Sequence, residues 1–255
     1  MSEKFAADTS RRSVRQWALG LLILLIGLTI AHFGVTLFLL SDLGSDTFTV
    51  LVQGLADVIG ISIGTCHVIV LVILVVLMLI FTRGYVKPGT VVCAVCGGWI
   101  IDFFLWAFGD SVGSASPLWL RVILMCVGCI VLAFGMSVVI QSRSGTGPND
   151  LIAIIASDTL GKKLHLQFRW VRLLCDVIFV AVGWALGGVV GAGTIVAAFL
   201  TGPVVQFFLP ISDRIIGFFM KDDPARAEGQ GDEAKDKSVP HDGDSECIDG
   251  GVKGR

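Results

Sequence analysis

Long apolar runs that carry almost no charge are the feature that most constrains the fold of this chain. Between Trp17 and Pro210, several runs reach the roughly 20 apolar residues that a helix needs to cross the hydrocarbon core of a bilayer. Only 16% of the 255 residues are charged, whereas soluble domains average about 25%. A transmembrane β-barrel would instead show short segments of alternating hydrophobicity. The sequence therefore predicts an all-α membrane protein.

The apolar segments fall into two length classes. Two of them, residues 48–59 and 151–160, have about a dozen residues, too few to cross a membrane at about 1.5 Å per residue. We interpret these two as half-helices and the longer segments as full spans. The first long segment exceeds the apolar region of a signal peptide, so we expect it to be retained. The six predicted spans are residues 17–40, 66–82, 90–108, 118–140, 167–186 and 194–209.

Outside the predicted spans, positive charges lie only at the termini and in alternate connections. The connections at residues 41–65, 109–117 and 187–193 contain no Lys or Arg. Since Lys and Arg favour cytoplasmic loops, we expect a multi-pass protein of the bacterial inner membrane with both termini cytoplasmic. A half-helix that crossed fully would break this alternation. The positive residues that set it are Lys4, Arg11, Arg12, Arg15, Arg83, Lys87, Arg143, Lys162, Lys163, Arg214 and Lys221.

The two ends of the chain differ in composition from the membrane domain. Residues 1–16 form a positively charged segment that we expect to be cytoplasmic, and residues 17–210 form the transmembrane domain. Residues 211–220 suit a short amphipathic helix at the membrane interface. Residues 221–255 are polar, charged and poor in aromatic residues. Because such a composition cannot bury enough apolar surface to order itself, we predict a disordered cytoplasmic tail.

The membrane domain contains an internal repeat. The stretch "GVTLFLLSDLGSD" from Gly34 aligns with "GMSVVIQSRSGTGPND" from Gly135, and Gly44 matches Gly147 after a small insertion. Downstream, "PGTVVCAVCGGWIIDFFL" aligns with "AGTIVAAFLTGPVVQFFL" without a gap. Each copy holds three full spans, an odd number, so the second copy must enter the membrane from the opposite side. The prediction is an inverted pair, as in many secondary transporters. The copies are about residues 17–108 and 118–210.

A family likeness rests on the second copy of the repeat. The segments "SGTGPNDLIAII" and "FRWVRLLCDVIFVAVGWALGGVVGAGTIVAAFLTGPVVQFFLP" resemble the YczE/YyaS/YitT family of bacterial integral membrane proteins. Its most specific parts are "GWALGGVVGAGT" and the pair Arg172 and Asp176. The first copy is similar to the same family, although "GSDT" departs from the Gly-Pro form at Gly147 and Pro148. The resemblance covers residues 17–210 and implies a multi-span bacterial membrane protein without an established activity.

The starts of the two half-helices are the first candidate binding site. Free N–H groups at a helix N-terminus can bind an anion or a substrate carboxylate. The alternative is capping, in which the acid or amide side chains only satisfy those N–H groups while glycine and proline form the turn. The candidate residues are Gly44, Ser45, Asp46 and Thr47 in the first copy, and Gly147, Asn149 and Asp150 in the second.

Charged and polar residues inside the spans are the second set of candidates. Arg172 and Asp176 lie four residues apart and share a helix face, as a structural ion pair or as a binding site for a solute, ion or proton. Asp102 and Gln206 occupy equivalent positions of the repeat. An unpaired carboxylate is costly in lipid, so we expect an interior or cavity-facing role for Asp102. His32 and His67 each suit a proton relay or a simple hydrogen-bonded histidine.

Two C-x-x-C pairs raise the question of a metal. The pairs "CAVC" and "CVGC" lie in the third and fourth spans, where two helices could offer four thiolates. Neither pair has a flanking charge that favours the thiolate, and small residues also permit close helix packing. We favour packing and expect no metal and no other cofactor. No motif indicates nucleophilic catalysis or an ATPase, so we do not expect an enzyme.

These patterns favour a secondary carrier of a small solute, with a site between the inverted repeats. The alternative is a non-transporting membrane regulator or assembly partner. The expected partners are the lipid bilayer and a small solute or ion, with a protein partner or a homo-oligomer left open. The net charge of −2 and the absence of a basic patch give no indication of nucleic acid binding.

Overall fold

The computed structural model describes residues 13–81, 87–109, 116–145, 147, 152 and 168–219. Within these residues every regular element is an α-helix. The predicted all-α membrane class is therefore confirmed. The helices are α1 (Val14–Ser41), α2 (Thr47–Ile59), α3 (Ile63–Phe81), α4 (Pro88–Phe108), α5 (Leu118–Gln141), α6 (Phe168–Ala185) and α7 (Ala192–Phe219).

Five of these helices, α1, α3, α4, α5 and α7, are long and apolar enough to cross a membrane. The helix α6 has 18 residues but carries Arg169, Arg172 and Asp176, which lower its hydropathy below that of the others. The 13-residue α2 corresponds to the first predicted half-helix. The second one, residues 151–160, lies outside the described residues except for residue 152, and residues 1–12 and the tail after residue 219 also lie outside them. The chain is thus a multi-pass membrane protein.

The last helix is longer than its apolar pattern predicts. It continues through Pro203 and Pro210 to Phe219, so residues 211–219 extend the last span instead of forming a separate interfacial helix. Ser212 is buried, and its hydroxyl lies 2.6 Å from that of Ser137 in α5. Ile216 packs in the same part of the bundle, in a cluster with Ile23 and Val138. These contacts fix the end of α7 against α1 and α5.

Glycines bring α1 and α5 close to backbone contact. A Cβ added to Gly34 would collide with the backbone of Leu132, and one added to Gly135 would collide with the backbone of Ala31. Small residues at helix crossings allow this approach, which membrane helices use because packing stabilises their association. The contact between α1 and α5 is accordingly the most extensive between any two described helices.

The contacts between α1 and α5 are reciprocal. Gly27 of α1 faces Val138 of α5, while Gly128 of α5 faces Leu37 of α1. A shift of 101 positions converts one contact into the other, because it takes Gly27 to Gly128 and Leu37 to Val138. The same shift relates the contact of Gly34 with Leu132 to that of Gly135 with Ala31. As numbers rise along α1 they fall along α5, so the two helices run antiparallel.

Glycines also bring α3 and α4 into close contact. Gly98 of α4 packs against Gly64 of α3 so closely that a Cβ on either glycine would strike the other backbone. Gly202 of α7 is the equivalent of Gly98 in the sequence repeat. Nothing in the described part of the chain lies within 4 Å of a Cβ placed on Gly202. The segment of the second copy that corresponds to the start of α3 lies outside the described residues.

Candidate functional site

The first break separates α1 from the short helix α2. The chain leaves α1 through Asp42, which is left-handed with φ 49°, and Gly44, with φ 101°. It is extended at Asp46, the N-cap of α2, where a carboxylate oxygen of Asp46 accepts a hydrogen bond from the Thr49 amide at 3.2 Å. Asp46 thus has the capping role that a carboxylate at a helix start favours.

The second break repeats the local conformation of the first. The hydroxyl of Ser41 donates to the carbonyl of Phe38 at 2.6 Å, and that of Ser142 donates to the carbonyl of Val139 at 2.7 Å. The residue after each serine is left-handed: Asp42 has φ 49° and Arg143 has φ 51°. These equivalences follow the same 101-residue shift as the α1–α5 contacts.

Each break is joined by one backbone hydrogen bond to a helix of the other sequence copy. The Gly193 amide at the start of α7 donates to the Leu43 carbonyl at 2.8 Å, and the Gly89 amide at the start of α4 donates to the Ser144 carbonyl at 3.1 Å. We call these bonds the first and second clasp. The 101-residue shift pairs Leu43 with Ser144 and Gly44 with Gly145, whereas the sequence alignment pairs Gly44 with Gly147.

Helix α2 begins against the middle of α6. The hydroxyl of Thr47 donates to a carboxylate oxygen of Asp176 at 2.7 Å, and Asp176 is the ninth of the 18 residues of α6. Because Thr47 directly follows Asp46, the carboxylates of Asp46 and Asp176 lie near the same helix start. Arg172, one turn earlier on α6, is exposed. The structure therefore brings together the predicted residues of the first break and Asp176.

Asp102 and Gln206 do not join this group. Asp102 accepts hydrogen bonds from the Ser62 hydroxyl at 2.6 Å and the Gly64 amide at 2.8 Å, so its carboxylate holds the start of α3. Gln206 lies on an exposed face of α7. Their equivalence in the sequence repeat therefore does not extend to their surroundings.

A small cavity lies beside the first break. It is partly open and has room for about one water molecule, and neither Asp46 nor Gly147 is part of its lining. Asn149 and Asp150 lie outside the described residues, so the predicted second half of the site has no structural account. The cavity is lined by Phe38, Leu39, Asp42, Gly44, Ser45, Gln53 and Val189.

A family model covers all of this geometry. Residues 18–210 match a family described as "Family of unknown function (DUF6198)". The chain belongs to this family. The match includes both breaks, both clasps and Asp176, so the geometry described above lies within the DUF6198 domain.

Three relatives of this DUF6198 chain were found among curated proteins. "Uncharacterized membrane protein YczE" of Bacillus subtilis (strain 168) is 29% identical over 196 residues, covering 75% of this chain and 86% of the relative. An "Uncharacterized protein" of Haemophilus influenzae is 32% identical over 195 residues, covering 76% and 84%. "Uncharacterized protein YyaS" of Bacillus subtilis is 28% identical over 189 residues, covering 74% and 92%. No solved structure matches. The predicted resemblance to YczE and YyaS is confirmed, and its YitT part stays a prediction.

Sequence reasoning missed Arg121, which fixes the end of α1 beside the first break. Its guanidinium donates to the carbonyls of Ser41 at 2.6 Å and Asp42 at 2.5 Å, and it pairs with the Asp42 carboxylate at 3.1 Å. The helix C-terminus favours a cation. One signal was available in the sequence. Arg121 lies in the first turn of a predicted span, and a charged residue within a span usually has a structural partner or a function.

His32 and His67, the two histidines within predicted spans, lie side by side next to the first turn of α2. The rings of His32 and His67 are 5.4 Å apart between centroids, and Phe48 of α2 packs on His67. The Nδ1 atom of His32 lies 2.8 Å from the Leu28 carbonyl, to which it donates. His67 is 6% exposed. The pair therefore links α1 and α3 to the first turn of α2.

The cysteines of the two C-x-x-C pairs pack in different clusters. Cys93 lies with α1 residues in one buried cluster, and Cys129 lies in another. Cys126 is exposed. Within the described residues, no three His, Cys, Asp or Glu side chains are grouped as a metal site would need.

Proposed function

We propose that this protein is a secondary carrier of a small solute, with its site where the first break meets α6. The observation that carries the proposal is the contact of the Thr47 hydroxyl with Asp176, which sets the start of a half-helix against a charged side chain in the middle of α6. Interrupted helices that meet charged groups in this way bracket the sites of many carriers. An ionisable side chain at such a position is a functional candidate because its burial is costly. The proposal includes no enzymatic step.

The proposal includes the inverted repeat. Its support is the reciprocity of the α1–α5 contacts and the matching conformations after Ser41 and Ser142. A two-fold axis between α1 and α5 exchanges antiparallel partners in this manner.

The two clasps offer a mechanism for alternating access. Each clasp joins a break in one repeat to the first turn of a helix in the other repeat, at Gly193 or Gly89. Opening the first clasp alone would separate Leu43 from α7 on one side of the molecule. Opening the second would separate Ser144 from α4 on the other. A rocking of one repeat against the other exchanges these two states.

Uptake into proteoliposomes tests the carrier proposal. We expect saturable uptake of at least one solute from a panel of amino acids, carboxylates, sugars and inorganic ions. Asp176→Asn should lower that uptake by about tenfold or more, because it removes a charge that binds the start of α2. Gln206→Ala, on an exposed face of α7, is the matched control and should transport normally. A panel without saturable uptake by folded protein would favour the regulator or assembly partner.

The carrier proposal also places both termini in the cytoplasm of a bacterial cell, in its inner membrane. It requires α6 to cross together with the five apolar helices, and the alternation of Lys and Arg supports this parity. Fusions of a periplasm-active and a cytoplasm-active reporter to each end check it. We expect only the cytoplasmic reporter to be active at both ends. Opposite locations for the two ends would show that α6 does not cross.

A further inference from the structure

Two buried oxygen atoms at the first break have no hydrogen-bond partner among the described residues. They are the hydroxyl oxygen of Ser45 and one carboxylate oxygen of Asp46. Ser45 is 1% exposed, and it lines the small cavity beside Gly44. A buried polar atom without a partner costs free energy, so native proteins pair such atoms with protein, water or ions. Two such atoms on consecutive residues, one of them beside a cavity, mark a place where a bound water or ion would complete the hydrogen bonding.

Acidic side chains outnumber basic ones around the break. Asp46 directly precedes Thr47, whose hydroxyl donates to Asp176, so the two carboxylates lie near the same helix start. The other carboxylate oxygen of Asp46 accepts from the Thr49 amide. These carboxylates would repel an anion and attract a cation, so the start of α2 is unsuited to the anion that helix N-termini otherwise attract. The charged residues around the break are Asp42, Asp46 and Asp176, against Arg121 and Arg172.

The available oxygen atoms and the available space favour a small cation with one charge. The unpartnered atoms of Ser45 and Asp46 are a hydroxyl and one carboxylate oxygen, which are hard ligands. The cavity that Ser45 lines, next to Asp46 in the chain, has room for about one water-sized group, so an organic ammonium ion would not fit. Mg²⁺ would need several retained waters around it, for which the cavity has no space.

We propose that Ser45 and Asp46, with Asp176 behind them, bind a monovalent inorganic cation of the size of Na⁺. The inference rests on the proposed carrier function in one respect, since the cation would then be cargo or the coupling ion. The cation-binding site itself does not depend on the carrier function. Because Asp46 caps α2 and Asp176 binds Thr47, the bound cation would stabilise the start of α2 against α6.

Equilibrium binding of radioactive Na⁺ to the purified full-length protein in detergent is the test. Choline replaces Na⁺ at constant ionic strength, since choline is too large for the cavity. We expect saturable Na⁺ binding and a higher unfolding temperature in Na⁺ than in choline. Asp46→Asn should weaken the affinity by at least about tenfold. Asp57→Asn, an exposed acid on the same helix α2, should bind Na⁺ like the wild type.

Each other result has a defined meaning. Absence of Na⁺ binding, or equal binding by Asp46→Asn, overturns the proposal. Binding of Mg²⁺ in preference to Na⁺, or stabilisation by acid in place of Na⁺, overturns the assignment to a monovalent inorganic cation. If Asp46→Asn does not fold, Ser45→Ala decides, because it removes one ligand without changing the charge. Na⁺ binding by a protein that transports nothing would refute the carrier and leave the cation site standing.

Discussion

Replacing Gly34 with alanine is expected to destabilise the protein more than any other single methyl addition in α1. The new Cβ would collide with the backbone of Leu132 and with the carbonyl oxygen of Gly128. Backbone atoms cannot rotate away, so the helices must separate, and the cost lies at the upper end of overpacking effects, about 3 kcal/mol. The gain in helix propensity, about 1 kcal/mol, does not offset it. Thermal unfolding in detergent measures the difference.

The matched control for Gly34→Ala is Gly202→Ala in α7. Gly202 is also a helical glycine, but a Cβ there has no described neighbour within 4 Å. We expect this substitution to leave the unfolding temperature unchanged or slightly raised, because only the propensity term acts. If both substitutions lowered stability equally, the close crossing of α1 and α5 would not be the cause.

Replacing Gly44 with alanine is expected to open the first clasp. Gly44 has φ 101°, a conformation that residues with a Cβ rarely adopt. A Cβ there would also strike the Thr194 hydroxyl oxygen and the Gly191 amide nitrogen. Strain of this kind costs about 1–3 kcal/mol before the collision is counted. We expect lower thermal stability and faster hydrogen exchange of the Gly193 amide, which donates the clasp bond.

A second glycine separates the two causes of that effect. Gly60 at the end of α2 also has a positive φ, 77°, but no described residue lies within 4 Å of a Cβ placed there. Gly60→Ala therefore carries conformational strain alone, about 1–2 kcal/mol. It should leave exchange of the Gly193 amide unchanged. Fast exchange in both variants would mean that general loosening, and not the collision at the clasp, exposes this amide.

The parts of the fold that depend on local composition could be predicted from the sequence. The apolar runs predicted six spans, of which five are helices long and apolar enough to cross and the sixth corresponds to α6. The short run after Asp46 predicted α2. The end of α7 could not be predicted, because Pro210 and the charges after it resemble a helix end. What continues the helix is long-range packing, with Ser212 against Ser137 and Ile216 beside Ile23.

The candidate site also has one part that could be predicted from the sequence and another that could not. The capping role of Asp46 follows from an acid placed directly before an apolar run. The contact of Thr47 with Asp176 joins residues 129 positions apart, and no pattern along the chain specifies it. Asp102 and Gln206 occupy equivalent positions in the repeat, which does not make their surroundings alike. The Asp102 side chain binds the start of α3, whereas Gln206 is exposed, because the two positions have different neighbours.

The first clasp has a consequence for the order in which the protein can be built. The Leu43 carbonyl obtains its donor from Gly193, which is synthesised 150 residues later. Membrane helices are inserted as the chain emerges, so the amino-terminal half enters the bilayer with this carbonyl unpaired. It can be completed only after α7 has arrived. The first break can therefore reach its final geometry only after α7 has inserted. We expect a chain truncated before α7 to be more susceptible to proteolysis at this break.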